Sequence, residues 1–436
     1  MRTWVVAMLL LSGCLADVDG SSETDDIAAK AAPPAPPPNA GPNTVFTNGP
    51  PKAGNPFFAS LGTNGRTCGT CHVGTEGWTI TPAGLQARFD ATNGTDPVFR
   101  TNDGSVSPNA DVSTVAARRT AYAMLLSRGL IRIGIGIPAT AEFTLDAVDD
   151  PYGYANTNEL SLFRRPMPTT NLPFLTAIMW DGREPSLATQ SIDATLGHAQ
   201  ATGTVQTDMD GIVAFEQTIF TAVKTDPVAG DLTAEHTTGG PKALSTTAFY
   251  IGINDPLGGN PQGTAFDPNA MQMYVPWTNR NGGNAKDQKK AQIARGEALF
   301  NTHPIAITNV KGLNDLLGAP VINGTCTTCH DTPSVGNHSV KLALDLGLTD
   351  ADLRTPDMPL YTLRNKTTGA TIQTTDPGRA LISGKWADIG KFKGPVLRAL
   401  AARAPYFHNG AAATLEEAVD FYEDRFAIGL TRAEKA

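Results

Sequence analysis

Cysteine is scarce in this chain of 436 residues: there are five, and none is left for a disulfide once Cys14 and two C-x-x-C pairs are counted. Charge is sparse as well. Asp, Glu, Lys and Arg make up 17% of the residues and leave a net charge of −8, so the chain lacks the positive field that captures phosphate backbones. Nucleic acid is excluded as a partner, and a basic protein suits better. Apolar runs are short everywhere, and strand-like alternation is rare. What is present is a hydrophobic content of 41%, enough for full cores, with 43 Gly and 32 Pro. That balance predicts helices joined by long, turn-rich connections.

The N-terminus reads as a targeting segment, with Arg2 followed by the apolar run from Val5 to Leu11 and then Leu11-Ser12-Gly13-Cys14. Small residues before a cysteine are the form of a lipoprotein cleavage site. Residues 1–13 are therefore expected to be a signal peptide, and Cys14 the lipid-bearing first residue of a membrane-anchored, periplasm-facing lipoprotein of the outer membrane. The alternative is an ordinary signal peptide; either way the protein leaves the cytoplasm. An acidic stretch and Pro33-Pro34-Ala35-Pro36-Pro37-Pro38 then give residues 14–56 the composition of a solvated, partly stiff tether.

Each cysteine pair is followed at once by histidine, in Cys68-Gly69-Thr70-Cys71-His72 and Cys326-Thr327-Thr328-Cys329-His330. On a helical turn residues i and i+3 share a face, so two thiols can bond the two vinyl groups of one haem while the adjacent imidazole reaches its iron. Composition alone would produce one such motif in about one chain in a thousand, so two are not accidental. A zinc site needs the pairs close together, yet Cys71 and Cys326 stand 255 positions apart. A thioredoxin-like pair would leave His72 unexplained. The motifs predict two covalently attached c-type haems.

Caps and periodicity place helices from Thr81-Pro82 toward Phe89, from about Thr114 to Gly129, and from near Asp210 with Ile212, Phe215 and Ile219 on one face. Two more start near Asp287 and at Thr414-Leu415-Glu416-Glu417, the second with Leu415, Val419, Tyr422 and Phe426 as a stripe. The expected fold class is mainly α, with two cytochrome c-like haem domains, long loops and insertions. Asn281-Gly282-Gly283-Asn284 divides them into residues 57–285 and 286–436.

The chain resembles the bacterial di-haem cytochrome c peroxidases and their relative MauG, the di-haem enzyme that matures methylamine dehydrogenase. Four ordered blocks carry the likeness: the first haem motif, Met179-Trp180-Asp181-Gly182-Arg183, Arg295-Gly296-Glu297-Ala298-Leu299-Phe300 leading to the second motif, and Ala404-Pro405-Tyr406-Phe407-His408-Asn409-Gly410. The resemblance implies that the N-terminal haem reacts with hydrogen peroxide while the C-terminal haem relays electrons from a small cytochrome or cupredoxin. A MauG-like enzyme would instead oxidise a partner protein, and a plain electron carrier would do neither.

Several residue roles follow from the resemblance. Tyr422, 14 residues after His408, matches the second axial ligand of the C-terminal haem, or else is a packed core tyrosine. Trp180 matches the tryptophan between the haems, or is likewise core. Gln190 and Gln200 match positions facing the peroxide side of the first haem, where the family has a glutamate at the second. An amide cannot move a proton at neutral pH, which leaves His198 as a substitute acid-base group, a ligand of the first haem or a structural residue. A calcium ion between the haems would be held by the carbonyls of Arg403 and Pro405, with Arg165 standing where the family has an asparagine. Residues near 90–160 and 225–285 are expected to hold insertions.

Overall fold

The computed structural model describes residues 42–436. Cys14, the expected signal peptide and the first part of the expected tether, up to residue 41, lie outside them. Among the described residues about 30% are helical and about 16% are in strands, so the fold is not mainly α as the sequence predicts.

Part of the strand content comes from the stretches expected to be insertions. Ile131–Ile135 pairs antiparallel with Leu160–Arg164. Phe143–Asp149 pairs with Leu360–Asn365, which in turn pairs with Thr371–Thr374. These strands form around a core of Phe143, Leu160, Leu162, Tyr361 and Leu363, all essentially without exposed surface. Each such side chain contributes about 1.5–3 kcal/mol of burial free energy, which outweighs the weak strand propensity of the surrounding turns.

The helices follow their caps. Thr81 accepts from the amide of Gly84 and starts Pro82–Thr92, which Asn93 ends in the left-handed conformation. Where one helix is expected after Thr114 there are two, Val115–Ala121 and Ala123–Arg128, broken at Tyr122. Gln206–Glu216 stops short of Ile219, which belongs instead to the strand Ile219–Val223 paired with Pro42–Phe46. Asn284 caps Ala285–Thr302 and Thr414 caps Leu415–Phe426.

Two apolar clusters carry the cysteine motifs. Phe57, Trp78, Met209, Ile212, Phe215 and Ile219 pack against Cys68. Ile305, Ile307, Val310, Leu313 and Leu344 pack against Cys326, Cys329 and Phe426.

Candidate haem sites

Cys68–Cys71 is a single helical turn, locked at its start by Thr67, whose amide donates to Thr70 Oγ1 at 2.9 Å. The His72 amide closes the turn on the Cys68 carbonyl at 3.0 Å. His72 Nδ1 lies 3.1 Å from the carbonyl oxygen of Trp78, which makes it the protonated nitrogen and leaves Nε2 as the available ligand atom. Burial lowers the His72 pKa to about 4, so the ring is neutral, as ligation requires. Burial also pushes the Cys68 thiol up to about 12 and raises Cys71. Such thiols are not the reactive thiolates of a redox pair.

Trp78 escaped the sequence reading. Its backbone is left-handed, with φ of 62°, which turns its carbonyl toward both His72 Nδ1 and the Thr169 amide. A tryptophan in that region costs about 1–3 kcal/mol. Its ring offsets that cost by packing edge-on to Phe46, Phe57 and Phe215 at 5.8–6.2 Å, with Nε1 donating to Thr44 Oγ1.

His72, Cys68 and Cys71 open on a cavity of about 140 Å³. Gln190 and His198, from either end of the helix Leu187–Gly197 and its cap, lie on its wall. Gln200 does not. It follows the end of that helix with φ of 55° and is exposed, its carbonyl accepting from Thr63 Oγ1, so the peroxide-facing role expected for it is corrected. His198 Nδ1 is 2.5 Å from Asp103 Oδ2, and Arg66 Nη1 donates to Asp103 Oδ1 at 2.5 Å. Burial alone would raise the Asp103 carboxyl, but Arg66 and His198 outweigh it and hold the group below its usual range. The cavity wall also includes Glu216, a second residue that the sequence reading missed.

The second motif repeats the local geometry. Thr325 caps the turn Cys326–Thr328 through Thr328, and the His330 amide donates to the Cys326 carbonyl at 3.1 Å. His330 Nδ1 sits 2.7 Å from the Gly336 carbonyl oxygen, again leaving Nε2 as the ligand atom. Burial lowers the pKa of this ring and pushes the two thiols up to about 11 and about 12. Tyr422, whose ring lies against Phe407, Phe421 and Phe426, is close enough to this motif for Cys329 and Cys326 to act on it. Desolvation raises its phenol well above the usual value, and the nearby Cys329 and Cys326 add to the effect. No protein group hydrogen-bonds its hydroxyl among the described residues. Two thiols on one turn, a neutral imidazole pinned at Nδ1 and apolar surroundings fit a c-type haem at each motif.

No family model matches the chain. A cytochrome-c peroxidase, IdrP1, of Pseudomonas sp. (strain SCT) is 30% identical over 146 residues, 31% of this chain and 38% of that protein. IdrP2 of Denitromonas iodatirespirans is 33% identical over 125 residues, 26% of this chain and 33% of its own. Cytochrome c551 peroxidase of Nitrosomonas europaea is 32% identical over 113 residues, 26% and 28% of the two chains. Over these stretches the chain is similar to cytochrome c peroxidases. It spans roughly a third of the length of these relatives. A MauG-like protein associated with microbial copper homeostasis aligns over 92% of this chain and 89% of its own, at 15% identity and a TM-score of 0.38.

Several aromatic rings lie against one another near the first cavity. Met179 lines the first cavity, and the next residue, Trp180, donates its indole N–H to the Arg165 carbonyl at 2.8 Å. The Trp180 ring is 6.2 Å from that of His408, which stacks on Phe392 at 3.9 Å. Phe392 is the strand partner of Leu344, a member of the apolar cluster against which Cys326 and Cys329 pack. His408 is 2% exposed, and neither of its ring nitrogens has a hydrogen-bond partner.

Arg165 occupies the centre of this region. Its guanidinium donates to the carbonyls of Arg128 and Ile80 at 3.0 Å and of Arg403 at 3.2 Å. One of the two carbonyls expected to bind calcium is thus already serving a buried cation, and Pro405 is left without the companion oxygen. Among the described residues no group of three His, Cys, Asp or Glu side chains is arranged to hold a metal ion.

Proposed function

We propose that the protein is a di-haem c-type peroxidase, reducing hydrogen peroxide to water at the first motif with electrons that enter at the second. The observation that carries this reading is the asymmetry of the two sites. His72 opens on a cavity lined by Gln190 and His198, whereas at the second motif Tyr422 lies near Cys326 and Cys329.

Cys68, Cys71 and His72 would hold one haem, and Cys326, Cys329, His330 and Tyr422 the other. The bound haems supply the redox centres for peroxide reduction and electron storage. The chain's own residues manage position and protons. Asp103 fixes the His198 tautomer with the proton on Nδ1, so Nε2 is the atom that takes a proton from bound peroxide and returns it to the departing oxygen. Gln190 orients the substrate by hydrogen bonding. Trp180, His408 and Phe392 form the contact path for electrons, and Arg165 replaces calcium as the cation between the sites. Lipidation at Cys14 would anchor the protein on the periplasmic face of the outer membrane, where a small cytochrome or cupredoxin can donate electrons.

Tyr422 favours a second reading. A phenolate ligand stabilises higher iron oxidation states than a thioether does, and a MauG-like enzyme would use such a state to oxidise tyrosine or tryptophan on a partner protein. Steady-state assays of the holoprotein separate the two. Continuous peroxide consumption with a reduced small cytochrome is the result expected of the peroxidase; peroxide reaction without donor turnover would favour partner oxidation, and no reaction at all would leave an electron carrier.

A further inference from the structure

Glu216 ends the helix Gln206–Glu216, whose inward stripe is Met209, Ile212 and Phe215, and is carried into the interior with them. It is 5% exposed and forms part of the wall of the first cavity. Oε1 accepts a hydrogen bond from Thr169 Oγ1 at 2.7 Å. Oε2 is buried and has no partner.

No basic side chain pairs with Glu216 among the described residues. The elements packed on its helix bring no charge toward it: Pro56–Phe58 has no ionisable side chain, and Asp193 on Leu187–Gly197 is exposed. Cys68 is the ionisable neighbour, and haem attachment would convert it to a neutral thioether. The other charged groups of the cavity, Arg66, Asp103 and His198, are occupied with one another. A carboxylate here would be a buried anion without a counter-ion, so the protonated form is favoured. Burial raises its pKa to about 7, against which the Thr169 hydrogen bond works only in part.

We infer that Glu216 is the proton donor of the first cavity, presenting Oε2–H to the substrate that reacts there. This rests on the peroxidase reading and supplies the acid that the amide of Gln200 cannot replace. In H2O2 + 2 e⁻ + 2 H⁺ → 2 H2O the O–O bond breaks, two molecules of a reduced one-electron donor protein give one electron each, Glu216 gives one of the two protons and regains it from solvent, and solvent gives the other. His198 moves the proton already on peroxide; Glu216 adds a new one.

The test compares wild-type holoprotein with Glu216→Gln and Thr169→Val by infrared spectroscopy and by stopped-flow reaction with hydrogen peroxide. A carboxylic C=O band that titrates near pH 7 should be present in the wild type and missing from Glu216→Gln. Thr169→Val, which removes the donor that favours the ionised form, should move that midpoint upward. The wild-type peroxide rate should fall as pH rises through about 7, and Glu216→Gln should react about 10²-fold or more slowly without that inflection. A wild type lacking the band, or a Glu216→Gln protein with the wild-type rate and inflection, would overturn the inference and leave the peroxidase reading standing. A wild type that keeps the band but ignores peroxide would overturn both. Should Glu216→Gln not fold, an unshifted midpoint in Thr169→Val overturns the inference by itself.

Discussion

At the scale of single residues, the first site depends on what holds each proton in place. Asp103 fixes His198 through Nδ1 and is itself buried against Arg66. Asp103→Asn keeps the size of the side chain but allows the opposite tautomer, so the second-order rate with peroxide should fall at least tenfold. An unchanged rate in stopped flow would remove His198 from proton transfer. Glu216 also leaves a thermodynamic signature. An ordinary glutamate titrates near 4.5, and Glu216 in the folded chain near 7. Between those values the folded chain keeps a proton that the unfolded chain has released. The contribution of Glu216 to stability is therefore fully present below pH 4.5 and declines up to about pH 7, by on the order of 3 kcal/mol. Denaturant unfolding of Glu216→Gln should lack that decline; a parallel pH dependence in both proteins would contradict the assignment.

At the scale of elements, the strand Leu160–Arg164 is wholly buried and ends in a cation. Arg164 donates from Nε and Nη2 to both oxygens of Asp376 at 2.7 and 2.8 Å, and from Nη1 to Asp181 at 2.6 Å. This joins the strand to the loop that follows Thr371–Thr374 and to the residue after Trp180. Arg164→Met would leave two buried carboxylates short of their cation, a loss of about 3–5 kcal/mol in chemical denaturation. A smaller loss would mean that water or Arg183 takes over the pairing. None of this network was readable in the sequence, because 212 positions separate Arg164 from Asp376. The same distance hid the sheet that joins Phe143–Asp149 to Leu360–Asn365. Local signals fared better: Thr81, Asn284 and Thr414 mark helix starts because a cap acts over three residues. The stripe extended to Ile219 failed because a helix and a buried strand both want an apolar residue there.

At the scale of the molecule, both cysteine motifs were legible because haem attachment is coded within five consecutive residues. Glu216 was not, since nothing near it in sequence tells a buried acid from a solvated helix end. The Arg403 carbonyl was expected to bind calcium, and only the folded chain shows that Arg165 reaches it. A guanidinium built into the fold should make the protein indifferent to chelators. Visible spectra and peroxide turnover are expected to be the same with excess EDTA or excess calcium, and a reversible loss on chelation would place a metal ion between the sites after all.

The central claim is that one haem site is open and the other closed, and electron paramagnetic resonance of the oxidised holoprotein tests it most directly. The account predicts one high-spin ferric signal that responds to peroxide and one low-spin signal that changes in Tyr422→Phe. Two low-spin signals, both unaffected by peroxide and by the substitution, would contradict it.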